Sequence, residues 1–475
     1  MMPELNPELR RNLWLQCGWQ RLAGALVVGV TIAYALYAFG GFARVLFGAN
    51  LAILVIFGMW GPRRAADSLA EEVGTGTWEM QRMSGLSAWS MVWGKLVGGT
   101  AFVWYCGVLA ILAYVLAGQQ LDFPPGRAGN FWLGVYLALI GAALAHTTAF
   151  AIVLLLMRKT VFYRRLTITL AQTIGFFVYV VVSGVESVRL LEQVDVAPRI
   201  GRIGESEATW PLIGAILGSF LFLWAIIAAY RLMRNELQYR AWPWVWLLFL
   251  AFAIFAAERV ALWPGSSDLV GIVSVPLILM LIVYAAALAD PRDPIRYRSG
   301  LIALAQCDLR RGLAETPWWL SGYVVFLAYC AVMVTTILTM PQDGLPRGLL
   351  YAMLRFDIFL SFENLAHSGV LLALFVLRDL LVLLCLSFGP WRHRADMTWL
   401  VYLALVYWPL AVILTFGGYL DYITLVLPVA GDNAWLNFAP IMLQVAVAAF
   451  AVRHFWRQAT GHGASGLPQV GAETA

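Results

Sequence analysis

Apolar runs follow one another almost without interruption along this chain, near 22–41, 45–61, 96–118, 131–157, 166–186, 210–230, 243–258, 269–289, 319–340, 367–388, 398–416 and 434–455. Inside lipid a backbone must satisfy its own N–H and C=O groups, so runs of this length and polarity are best satisfied as spanning helices. The expected fold is therefore an all-α polytopic membrane protein with about twelve transmembrane helices. The seventh run is the shortest, because Glu258 and Arg259 cut it off. Only 12% of the residues are charged, against about a quarter in soluble domains, so any soluble chemistry belongs to a partner.

Charge placement sets an expected orientation. If the N-terminus is cytoplasmic, that side holds Arg63 and Arg64, the cluster Arg158, Lys159, Arg164 and Arg165, the trio Arg231, Arg234 and Arg240, then Arg292, Arg296, Arg298, Arg310 and Arg311, and Arg392 with Arg394. The bias of basic residues toward the cytoplasm then puts both termini there. Because these charges are spread over short loops rather than gathered on one face, nucleic acid is not the expected partner. The five cysteines lie apart, with no CxxC pair and no His cluster, and read as small packing residues rather than disulfides or metal ligands.

Four segments follow. Residues 1–20 read as an interfacial amphipathic helix capped by Asn6, with Pro7 in its first turn and Leu9, Leu13 and Cys17 on one face. Residues 21–235 form a six-span half with a cytoplasmic loop at 62–95, and 236–457 a second six-span half whose loop at 290–318 has a similar length. The tail, 458–475, is small, polar and expected to be disordered. Two connections on the other side, 187–209 and 341–366, are long, and the second holds LLYAMLRFDIFLSF, readable as an amphipathic surface helix.

Between the second and third runs stands EEVGTGTWEMQRMSGLSAWSMVWGK, residues 71–95, the most polar long stretch of the first half. Asp67 to Arg82 can be helical but is loosened by Gly74 and Gly76, Ser84 and Gly85 form a turn, and Ser87 is placed to cap a helix running into the third span. A mere connection needs only about five residues. A longer one, with Trp78, Met80 and Met83 expected at its surface, has the composition of a docking element projecting into the cytoplasm.

These residues resemble the loop between the second and third spans in permease subunits of ABC-2 type transporters. That family carries a Glu, a Gly-Thr-Leu-Glu-like run, a Thr-Pro-Leu-Ser element and a Gly-Lys opening the third span. Here Glu72 stands at the first, Gly76, Thr77, Trp78 and Glu79 at the second, Ser84, Gly85, Leu86 and Ser87 at the third, and Gly94 with Lys95 at the last. Val73 replaces the usual Arg, Gly85 the Pro, and Gln81 with Arg82 a usually apolar pair. The motif covers 71–95, and the span pattern extends the resemblance over about 1–235. The resemblance implies a bacterial inner-membrane protein that moves a substrate, as an exporter or flippase, on ATP hydrolysed by a separate dimeric ABC-type ATPase docked on this loop. The chain itself is expected to bind no cofactor and to catalyse no reaction, with ATP and Mg²⁺ on the partner; it has no GxxxxGK[ST] phosphate loop. Whether one chain spans the ATPase dimer or two chains form a homodimer is left open.

Arg378, Asp379 and His146 stand inside apolar runs. Arg378 and Asp379 are costly at membrane depth and must face the bundle interior or water. They read as a structural ion pair or as a substrate or coupling site, and adjacent positions about 100° apart on a helix need not pair with each other. His146, beside Thr147 and Thr148, reads as an interhelical hydrogen bonder rather than a ligand. Two rival classes remain: a membrane enzyme acting on a lipid-linked substrate through Arg378, Asp379, Glu258 and Arg259, and a scaffold that recruits a soluble partner through the 62–95 loop.

Overall fold

The structure, a computed structural model, describes residues 6–121, 127–157, 164–184, 209–239, 244–261, 268–290, 292–308, 312, 315–339, 362–417, 424–430 and 434–465. Among these residues it is helical, with no strand. The helices are α1 (Pro7–Gln16), α2 (Trp19–Ile53), α3 (Gly61–Gly74), α4 (Trp78–Arg82), α5 (Ala88–Gln119), α6 (Arg127–Leu156), α7 (Arg164–Tyr179) and α8 (Thr209–Glu236). There follow α9 (Trp244–Ala261), α10 (Asp268–Ala289), α11 (Pro294–Ala305), α12 (Trp318–Thr339), α13 (Phe362–Phe388), α14 (Ala395–Leu405), α15 (Ala411–Phe416) and α16 (Ala434–Ser465). Short π-helical segments occupy Leu54–Trp60, Val180–Gly184 and Val406–Leu410.

Nine helical stretches among the described residues are long and apolar enough to cross a membrane, or ten if Val275–Ala289 and Pro294–Ala305, bent by 118°, make one span. The protein is thus a multi-pass helical membrane protein. The count differs from about twelve for physical reasons. The apolar part of α9 is short, ending at Glu258, and the first two expected spans, 22–41 and 45–61, both lie within one of the nine stretches, Trp19–Gly74, on either side of a kink. That stretch is not straight. Gly41 has φ +67°, a left-handed value open to glycine, and a Cβ on Gly48 would lie 2.3 Å from a Leu36 methyl. Twelve residues of straight helix rise about 18 Å, so the contact requires the chain to fold back at Gly40–Gly41.

The chain divides into two compact units, Met1–Ala241 and Trp242–Ala475, close to the division drawn from the span pattern. The core of the first unit gathers Val45, Ala49 and Phe57 from the α2 region, Val103 and Tyr114 from α5, Ala138, Ala142 and Ala145 from α6, and Tyr179 from α7. The alanines let helices approach closely, as packing within lipid favours. The core of the second unit joins Leu250, Val283, Phe326, Val376, Leu380 and Trp399 from α9, α10, α12, α13 and α14.

Other expectations need correction. The helix α16 runs to Ser465, into the segment read as disordered. Propagation from a long helix costs far less than nucleation, so composition alone misjudged its end. Cys307 is exposed with φ +60°, so it is not a packing residue. The connections at 187–209 and 341–366 lie almost wholly outside the described residues, as do Arg310, Arg311 and the side chain of Arg259.

Candidate functional site

The 62–95 segment does not project as a hairpin. The helix α3 continues from the α2 region and buries Pro62, Ala65, Ala66, Leu69 and Ala70 at helical spacing, packing against α5, α6 and α7. It stops where Gly76 adopts φ +75°, and its last carbonyls are covered locally. Thr75 Oγ1 donates to Glu71 O at 2.9 Å and Thr77 Oγ1 to Glu72 O at 3.3 Å. The short α4 follows, then the Ser84–Gly85 turn, and Ser87 caps α5 by accepting from Ser90 N–H at 3.2 Å, as expected.

At the centre lies Lys95, fully buried on the first turns of α5. Its ammonium donates to Glu72 Oε2, to Gln81 Oε1 at 2.6 Å and to Glu8 Oε1 at 3.1 Å, and sits 5.8 Å from the ring centre of Trp78. Gln81 Nε2 in turn donates to Glu72 Oε1 at 2.8 Å. Arg11 donates to Glu8 at 3.4 Å and to Glu72 at 3.3 Å. Two carboxylates thus face two cations, and the cluster is neutral overall, as a buried ionic group must nearly be. It ties four elements, α1, α3, α4 and α5, into one body.

The N-terminal helix was expected to lie on the membrane surface through Leu9, Leu13 and Cys17. It forms over Pro7–Gln16 with Asn6 Oδ1 accepting from Glu8 N–H at 3.1 Å, but the face it turns to the protein is polar. Asn6 donates to Ser90 O at 2.5 Å, and Asn12 to Gly94 O at 3.2 Å. Glycines on α5 permit this approach. A Cβ on Gly94 would come 2.7 Å from Glu8 Cβ and 3.0 Å from Leu9 N, and one on Gly98 2.6 Å from Asn12 Cβ. Gly94→Ala is therefore expected to push α1 off α5 and cost about 1–3 kcal/mol. Limited proteolysis at Arg10 and Arg11 measures this; an unchanged cleavage rate would count against the packing.

The residues singled out in the sequence fall into two sets. Glu72, Trp78 and Lys95 are buried within the clasp, and Trp78, expected at the surface, is only 4% exposed. Its indole is consumed in covering the Lys95 charge. Gly76, Thr77, Glu79, Ser84, Gly85 and Ser87 are exposed, Leu86 is half-buried, and Met80 and Met83 are 72% and 81% exposed. Glu79 pairs with Arg82 at 3.5 Å on the surface, a pair of little energetic weight. Sequence reasoning missed Glu8, Arg11, Asn12 and Gln81. Gln81 carried a signal, since a polar residue at a usually apolar position of the resembled motif asks for a polar partner.

In the second unit the loop at 290–318 is held differently. Here the buried charge is acidic: Asp290 accepts from Trp318 N–H at 3.1 Å and pairs with Arg296 at 3.7 Å, while Arg292 pairs with Asp396.

Arg378 and Asp379 do pair. Arg378 Nε and Nη2 donate to Asp379 Oδ1 at 2.9 and 2.8 Å, because a long guanidinium swings back across the angle separating adjacent Cβ atoms. Its Nη1 donates to Gln444 Oε1 at 2.8 Å, and it lies 4.5 Å from the centre of the Phe375 ring. Asp379 also accepts from the hydroxyls of Tyr284 and Tyr407, each at 2.6 Å, and Tyr402 at 3.0 Å. Five donors saturate one carboxylate, which favours a lock among α10, α13, α14, α16 and the Val406–Leu410 segment over an open site. Glu258 stands elsewhere, accepting from Tyr329 at 3.3 Å.

His146 is buried on α6, its Nε2 3.2 Å from Phe57 O and its Nδ1 without a partner among the described residues. The expected interhelical bond is present, but only half the ring is satisfied. No group of metal-binding side chains occurs among the described residues. Comparison of the chain with protein-family models, curated proteins and solved structures finds no match.

Proposed function

We propose that this chain is the membrane permease subunit of an ABC-2 type ABC transporter, moving a substrate outward across a bacterial inner membrane. In this reading a separate ATPase dimer, holding ATP and Mg²⁺, docks on α4 and the turn after it. Both termini are cytoplasmic, and the spans make two six-helix halves. The observation that carries the reading is the buried clasp at Lys95. It fixes a surface rich in Met, Ser and Gly, the kind of surface that fills or admits a partner's side chains, to the start of a membrane-spanning helix. A push on Met80 or Met83 would then reach α5 without being absorbed by a flexible loop.

The clasp also changes which substitutions test docking. Glu72 is structural, so its removal cannot separate docking from folding. Met80→Glu with Met83→Glu places charge on two strongly exposed residues outside the clasp. The permease should purify folded, with co-purified ABC-type ATPase reduced at least about tenfold, the loss of roughly 1.4 kcal/mol of binding. Undiminished ATPase in that variant would sink the assignment, and a non-ATPase partner lost in its place would favour the scaffold reading.

A further inference from the structure

We infer that the helical stretch leading from α2 into α3 contains a built-in hinge at Leu54–Pro62, latched by His146 of α6 and Gln172 of α7. The segment Leu54–Trp60 is π-helical, and Gly61 N–H accordingly bonds five residues back, to Ile56 O. Continuing that register, the next N–H would reach Phe57 O. The next residue is Pro62, which has none. His146 Nε2–H fills that place, donating to Phe57 O at 3.2 Å. Gln172 Nε2 donates to a second carbonyl of the same segment, Met59 O, at 3.2 Å. The carbonyl that Pro62 leaves without a backbone donor is here satisfied from α6, and a second carbonyl of the segment is held from α7, so the bend depends on what those helices do.

Two further observations make this a latch rather than a fixed weld. The close approach requires Gly61, whose Cβ would fall 1.8 Å from His146 Nε2. Donation through Nε2 also makes Nδ1 the acceptor, and that atom is buried with no partner among the described residues. A hydrogen bond gained and a buried acceptor left unpaired have comparable and opposite weights, so the latched geometry is held by a small margin. π-segments inside helices recur at functional bends. What lies beyond this one is α3 with the Lys95 clasp, so the hinge is where α3 would tilt against α2. The inference stands on this geometry whether or not an ATPase binds.

Hydrogen exchange of the full-length protein in lipid nanodiscs tests it. His146→Leu should speed exchange of the amides of 57–66 by about tenfold or more, while peptides of α5 exchange as before. His146→Gln, whose Nε2 reaches the same position, should restore protection. Pro62→Ala supplies the missing N–H, so adding His146→Leu to it should have little further effect. Unchanged exchange in His146→Leu, an increase shared by all of the first unit, or the same increase in the Pro62→Ala background would each overturn the hinge. If His146→Leu does not fold, Gln172→Leu gives the reading: faster exchange confined to 57–66 supports the hinge, and no change there overturns it.

Discussion

Replacing Lys95 with alanine is expected to destabilise the first unit by about 3–5 kcal/mol, the cost of removing one partner from a buried ion pair. The size follows from what remains. Glu72 and Glu8 would face each other across an emptied site with only Arg11 to balance two negative charges, and Gln81 would lose the donor to its carbonyl. Lys95→Met with Glu72→Gln removes one charge of each sign and leaves the Glu8–Arg11 pair neutral, so it should recover more than half of the loss. Denaturant unfolding in detergent measures both. A cost under about 1 kcal/mol for Lys95→Ala, the range of solvated surface pairs, would mean that the clasp is hydrated and does not bind α1, α3, α4 and α5 together.

How much of this was legible in the sequence depends on the reach of each signal. The caps at Asn6 and Ser87 and the break at Gly76 are decided by residues within a few positions, and local reading finds them. The carboxylate partners of Lys95 lie 23 and 87 positions away, and no pattern at helical spacing points to them. The misplacement of Trp78 has the same origin. An aromatic residue in a polar stretch looks exposed until the charge it covers is known. Pro62 shows the reverse case, where a residue readable as the start of a loop sits inside a continuing helix because a donor from another helix repairs the missing bond.

Asp379→Asn is expected to cost about 3–5 kcal/mol, because it strands the Arg378 guanidinium among apolar and aromatic neighbours. Asparagine also turns one acceptor into a donor opposite the hydroxyls of Tyr284 and Tyr407 or of Tyr402, which now donate to the carboxylate. The double substitution Arg378→Leu with Asp379→Leu removes both charges, and replacing a buried pair by apolar groups is often nearly neutral. Here about 1–3 kcal/mol should stay lost, since the tyrosine hydroxyls and the Gln444 amide keep no full set of partners. Trp399 Nε1 donates at 2.7 Å to the backbone carbonyl of Asp379 and is untouched by either change, so the docking of α14 on α13 should survive. The two readings of the pair then separate. Under the proposed transport function, a lock for the second unit predicts that the double variant folds and transports near the wild-type rate while Asp379→Asn does not. A double variant that folds but has lost transport would overturn the lock and make the pair part of the substrate or coupling path.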